Sequence, residues 1–127
     1  MTPSNKHRIL GALPFVSASL ALFVASSIPT LRPPDLGFEW QDKLFHALAY
    51  IVYAACVHLF AVCTLHIRSQ LAVGGTVLAI GLGFAATDEW HQTFVQGRVG
   101  DVADWLADSM GVIVWIVAHG VFTRRRM

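Results

Sequence analysis

Apolar residues gather into four long runs, with most charged residues in the stretches that flank them and Asp104 and Asp108 in the first turns of the fourth. The runs are Ile9–Ile28, Leu44–Leu65, Leu71–Thr87 and about Val102–Phe122. A helix that crosses a bilayer needs roughly 17–25 predominantly apolar residues. Backbone groups in hydrocarbon must be satisfied within their own segment, so runs of this kind are helical. The pattern predicts an all-α fold, a four-transmembrane-helix bundle forming one domain over residues 1–127. The third run is short for a span, and its helix is expected to continue into Asp88–Thr93. The spans are therefore placed near residues 9–28, 44–65, 71–92 and 102–122. The first run, with Lys6 and Arg8 before it and Ala25, Ser26 and Ser27 after it, also has features of a signal peptide. It is longer than the roughly 7–15 residues of a signal-peptide core, and a retained span is expected.

Composition agrees with this class: 55% of residues are hydrophobic and only 13% are charged. About 25% charged residues would be ordinary for a soluble domain. A formal net charge of +1 gives no reason to expect a nucleic-acid partner. Cys56 and Cys63 sit on one span, separated by about 10 Å of helix rise, too far for a disulfide.

The placement of charge predicts orientation. Lys6, Arg8, Arg68, Arg124, Arg125 and Arg126 fall on one side of a four-span chain. An excess of Lys and Arg marks the cytoplasmic side, so both termini are expected there. Arg32, Lys43 and Arg98 fall on the opposite side with all eight acidic residues and with Trp40, Trp90 and Trp105. The stretch TDEWHQTFVQGRVGDVADW, Thr87–Trp105, is thereby placed at the extracytoplasmic boundary.

Helical spacing brings these polar residues onto shared faces. On span two the face holds Asp42, His46, Tyr50 and Tyr53, with Lys43 at its edge. On span three it holds Asp88, His91, Gln92 and Val95. On span four it holds Asp101, Asp104, Asp108, Gly111 and Trp115. Carboxylates facing lipid are costly, so they should turn inward and pair. Three helix ends are expected to build one pocket that opens outward. Span three also carries Gly75, Ala79, Gly83 and Thr87 at four-residue spacing, which allows close helix approach. Packing within the bundle is the expected use of that stripe, and a homodimer seam the alternative. Pro14 marks a kink in span one.

Three motifs in order resemble those of VanZ-like membrane proteins. DKLFHALAY at Asp42–Tyr50 resembles the first, Asp-Lys-x-x-His followed by aromatics. TDEWHQTFVQGR at Thr87–Arg98 resembles the second, Asp-Glu-x-x-Gln and then Gly-Arg. DVADWLADSMG at Asp101–Gly111 resembles the third. The matching positions are Asp42, Lys43, His46, Asp88, Glu89, Gln92, Gly97, Arg98, Asp104 and Gly111. Asp108 departs from the family, which often carries Asn there, and His91 falls at a variable position. The resemblance implies a small polytopic protein of the bacterial cytoplasmic membrane, in a family named for its association with teicoplanin resistance.

The candidate binding residues are Asp42, Lys43, His46, Asp88, Glu89, His91, Gln92, Arg98, Asp101, Asp104 and Asp108. Ionisable groups inside a membrane are functional candidates, and His46 lies one turn from Asp42. His58, His66 and His119 lie toward the other end without acidic neighbours and are read as structural. Lys43 and Arg98 suit phosphate recognition or simple pairing with the acids. The acids would suit a hard cation, or Zn²⁺ with a histidine added. No metal-binding spacing occurs in the chain, so a metal centre is not expected and a salt-bridge network is the commoner outcome. The motifs name no cofactor. Ser109 faces away from Asp108, which argues against a nucleophilic serine.

Two functions are consistent with this inventory. One is binding of an anionic membrane lipid or lipid-linked wall precursor, or shielding of such a precursor from a glycopeptide. The other is an enzyme acting on a phospholipid or polyprenyl-phosphate head group, with His46, Asp88 and Asp104 as its catalytic residues. A proton-coupled transporter ranks last, because the inner halves of the spans carry only scattered histidines.

Overall fold

The computed structural model describes residues 3–125. It is all-helical: α1 Pro3–Ser27, α2 Gln41–Leu59 with a π-helical turn Phe60–Thr64 at its end, α3 Gln70–Gln92 and α4 Val102–Arg124. All four spans are long and apolar enough to cross a membrane. Arg126, counted with the basic side, lies outside the described residues. α1 starts earlier than its apolar run and takes in Lys6 and Arg8.

Local chemistry sets the helix starts. Ser69 Oγ accepts from the amide of Ala72 at 3.3 Å, capping α3. Asp101 Oδ1 accepts from the amide of Ala103 at 2.8 Å, capping α4. α3 ends at Gln92, so Val95 of the predicted face lies beyond the helix. His66 adopts φ +56° in the turn that follows the π-helical segment.

α2 is the centre of the bundle. It packs most extensively on α4 and also contacts α1 and α3. α1 and α4 do not touch among the described residues. The core holds Tyr50, Tyr53, Ala54, Val57, Val73, Val77, Ala85 and Val112. Close approach is bought at a few glycines. A Cβ on Gly81 would come within 2.8 Å of Val112 Cγ2. One on Gly11 would meet the Leu59 carbonyl oxygen at 2.8 Å, where Thr64 Oγ1 also donates to the Arg8 carbonyl at 2.8 Å.

The stripe on α3 behaves differently from expectation. Gly75, Ala79, Gly83 and Thr87 are exposed, and a Cβ on Gly75 or Gly83 would have open space. Close packing in this bundle comes from Gly81, on the opposite side of α3, because that side faces Val112 of α4. Ala79, Gly83 and Thr87 instead line an outer groove shared with Phe15, Val16 and Leu20 of α1. Large apolar residues such as Leu10, Leu13, Leu20, Val52 and Val117 are likewise exposed, forming the surface that a bilayer would cover.

Candidate functional site

The start of α2, the end of α3 and the start of α4 meet at one end of the bundle, and their polar faces converge. Asp108 is fully buried at 0% exposure, and Asp88, Glu89 and Asp104 are each 8% exposed. Isolated carboxylates so placed would be costly, and the cluster meets part of that cost by pairing.

Lys43 and His46, one turn apart on α2, supply the pairing. Lys43 Nζ donates to Asp104, lies 3.3 Å from Asp101 Oδ2 and 3.9 Å from Asp42 Oδ2. His46 Nδ1 is 2.8 Å from Asp108 Oδ1, and its Nε2 is 3.8 Å from Asp104 Oδ2. The ring therefore bridges two acids one turn apart on α4. This register is possible because α4 presents Gly111 directly against the backbone of Ala47 and Ile51.

Glu89 fastens α3 to the beginning of α4. Its Oε2 accepts from the Asp101 amide at 3.0 Å. The connecting turn passes close over the end of α3: a Cβ on Gly100 would lie 2.8 Å from the Glu89 carbonyl oxygen and from Thr93 Cγ2. Gly97, at φ +79°, supplies the left-handed residue that starts this turn. The Ala103 amide at the start of α4, together with the Lys43 ammonium, holds the exposed Asp101 carboxyl below the usual carboxylate range.

Asp88 and Gln92 face the same buried region, with Ser26 of α1 alongside Asp88. Two predicted residues turn elsewhere. His91 bonds Ser27 Oγ at 2.9 Å through Nε2 and stacks on Phe23 at 4.5 Å, so it belongs to the contact with α1. Arg98 directs Nη2 to the carbonyl oxygens of Ala25, Ile28 and Leu31 at 3.2, 3.0 and 3.0 Å. A helix leaves its last carbonyls without internal partners, and a cation there is favoured by the helix dipole. Arg98 thus caps α1, and Lys43 is the cation that joins the acids.

Arg98→Ala will remove a donor from three carbonyls, of which Ala25 and Ile28 keep backbone donors, and is expected to cost about 0.5–1.5 kcal/mol. Arg98→Lys should recover only part, because it lacks the second nitrogen, Nε, which Arg98 also directs to the Ile28 carbonyl at 3.3 Å. Thermal melting in detergent checks this, and a wild-type midpoint for the alanine variant would refute the clamp.

Some members of the site carried no local sequence signal beyond the family motif. Glu89 lies off the helical face that joins Asp88 to Gln92, yet it is as buried as Asp88. Tyr50 is 2% exposed, and its hydroxyl has no hydrogen-bond partner. Its place on the His46 face pointed to this region, but nothing marked the hydroxyl as unpartnered.

No curated protein and no solved structure matches the chain. A family model described as VanZ/LLP1 does match, over residues 5–123. That match spans all four helices and includes every residue of the polar cluster. With four helices long and apolar enough to cross a bilayer, this multi-pass membrane protein belongs to the VanZ-like family.

Proposed function

We propose that the polar end of the bundle binds the head group of an anionic membrane lipid or lipid-linked cell-wall precursor. The observation that carries this reading is Lys43: its side chain is 36% exposed while its ammonium is held by Asp101 and Asp104 at the edge of a buried acidic cluster. A head group that joins phosphate to hydroxyls or amines matches that pairing of chemistries. The ammonium would meet the phosphate, and the carboxylates would accept from the donors. The distribution of Lys and Arg supports an extracytoplasmic position for the site. There it could also shield a precursor from a glycopeptide such as teicoplanin.

Native mass spectrometry of gently extracted protein tests the reading. Wild type should retain an anionic lipid or polyprenyl phosphate, and Lys43→Ala should lose it. Retention by both proteins, or by neither, would count against a head-group site.

A second reading, a membrane enzyme acting on such a head group, is favoured by the contact between His46 and Asp108. A fully buried carboxylate fixes one ring nitrogen and leaves the other turned toward Asp104, an arrangement used to orient a reacting imidazole. Under this reading His46→Ala would abolish turnover of a phospholipid or polyprenyl phosphate in proteoliposomes, by about 100-fold or more. Lipid retention would persist. Absence of any product from wild type would leave the binding reading.

A further inference from the structure

The charges of the cluster do not balance. Asp88, Glu89, Asp104 and Asp108 are all at least nine-tenths buried. The cations paired among them are Lys43 and His46. Even with His46 counted as a cation, four carboxylates against two cations leave two negative charges. The orphaned atoms locate the excess. Glu89 Oε1 and Asp108 Oδ2 are sealed from solvent with no hydrogen-bond partner, and Asp88 Oδ1 is in the same condition. A buried carboxylate oxygen without a partner costs several kcal/mol unless a proton or a cation meets it, and two such oxygens on adjacent helices could be met together by one cation.

His46, Glu89 and Asp108 come from three different helices, and each offers one ligand atom within 4.8 Å of the other two. We propose that these three residues hold a divalent transition-metal ion, Mn²⁺ or Zn²⁺. One imidazole with carboxylate oxygens is a donor set that such ions accept. The 2.8 Å contact of His46 Nδ1 with Asp108 Oδ1 is a hydrogen bond, and the carboxylate atoms left to take an ion are the unpartnered Asp108 Oδ2 and Glu89 Oε1. A second trio, Asp42, His46 and Asp104, is equally compact. It is the poorer site because the Lys43 ammonium already lies against both of its acids.

This site stands on charge balance and does not depend on the lipid reading. It would, however, add the positive charge that an anionic head group needs in an acid-rich pocket. The ion would sit among residues contributed by α2, α3 and α4, so it would also cross-link the end of the bundle.

The test uses the full chain in detergent with no lipid added. Protein is stripped with a chelator and titrated with Mn²⁺ or Zn²⁺ alone. Calorimetry follows binding, and elemental analysis follows the metal retained after desalting. Wild type should bind one equivalent. Glu89→Gln and Asp108→Asn should each weaken binding by about 100-fold, and Glu39→Gln in the exposed loop should bind as wild type. If Asp108→Asn does not fold, Glu89→Gln alone carries the comparison, with helicity checked by circular dichroism. Absence of stoichiometric binding by wild type, undiminished binding by Glu89→Gln, or binding of Mg²⁺ or Ca²⁺ only would each overturn the assignment. Lipid retention is scored separately, so either proposal can fail without the other.

Discussion

Alanine at position 111 is expected to force α2 and α4 apart. A Cβ there would lie 3.0 Å from the Ala47 carbonyl carbon, 3.1 Å from the Ile51 nitrogen, and closer still to the Ala47 carbonyl oxygen. These are backbone atoms of a neighbouring helix, so no rotamer change can relieve the clash. Overpacking of this kind costs about 1–3 kcal/mol, and valine should cost more than alanine. The interface concerned is the most extensive in the bundle. It also sets the distance between His46, adjacent to Ala47, and Asp108, one turn before Gly111. Gly111→Ala should therefore lower the melting midpoint and loosen the polar cluster together. Gly75→Ala is the matched comparison, because that position has open space. Its helix propensity should improve by about 0.5–1 kcal/mol. Thermal melts of the two variants decide the matter. Equal midpoints would mean that the helices do not approach as described.

Replacing His46 with leucine should be the most damaging change in the cluster. Asp108 would lose its 2.8 Å partner while remaining fully buried. Removing one member of a buried ion pair costs about 3–5 kcal/mol, whereas replacing both members with apolar groups is often nearly neutral. The double variant His46→Leu with Asp108→Leu should therefore melt well above His46→Leu. A double-mutant cycle measures the coupling directly. A His46→Leu protein as stable as wild type would show that the contact carries no stabilisation.

The architecture was legible because membrane solvent simplifies the code. Four apolar runs of sufficient length leave few alternatives to four helices, and all four spans appear where the runs lie. Pocket composition was legible in part. Spacing on α2 and α4 placed Asp42, His46, Asp104 and Asp108 on compatible faces, and the structure brings them together.

His91 and Arg98 show the limit of that reasoning. Each has the charge, or the capacity for it, that an acidic pocket wants, and each lies beside the pocket residues in sequence. Their partners are at the end of α1 and in the connection just after it, at Ser27 and at the carbonyls of Ala25, Ile28 and Leu31, more than 60 residues away. Periodicity within one helix says which residues share a face, but not which neighbour that face meets. The small-residue stripe fails for the same reason: its spacing is right for close approach, but the side of α3 that meets α4 is marked by Gly81.

The capping of α1 by Arg98 has a mechanical consequence. α1 touches α4 nowhere among the described residues, so no direct contact couples it to the acids of α4. The coupling runs through Arg98, whose guanidinium ties the exit of α1 to the turn that launches α4. Three residues later, the amide of Asp101 is held by Glu89. A displacement of the first span in the bilayer would pull on that turn and be felt at the entrance to the cluster. α1 is thereby a lever on a pocket whose acidic and basic residues lie on the other three helices.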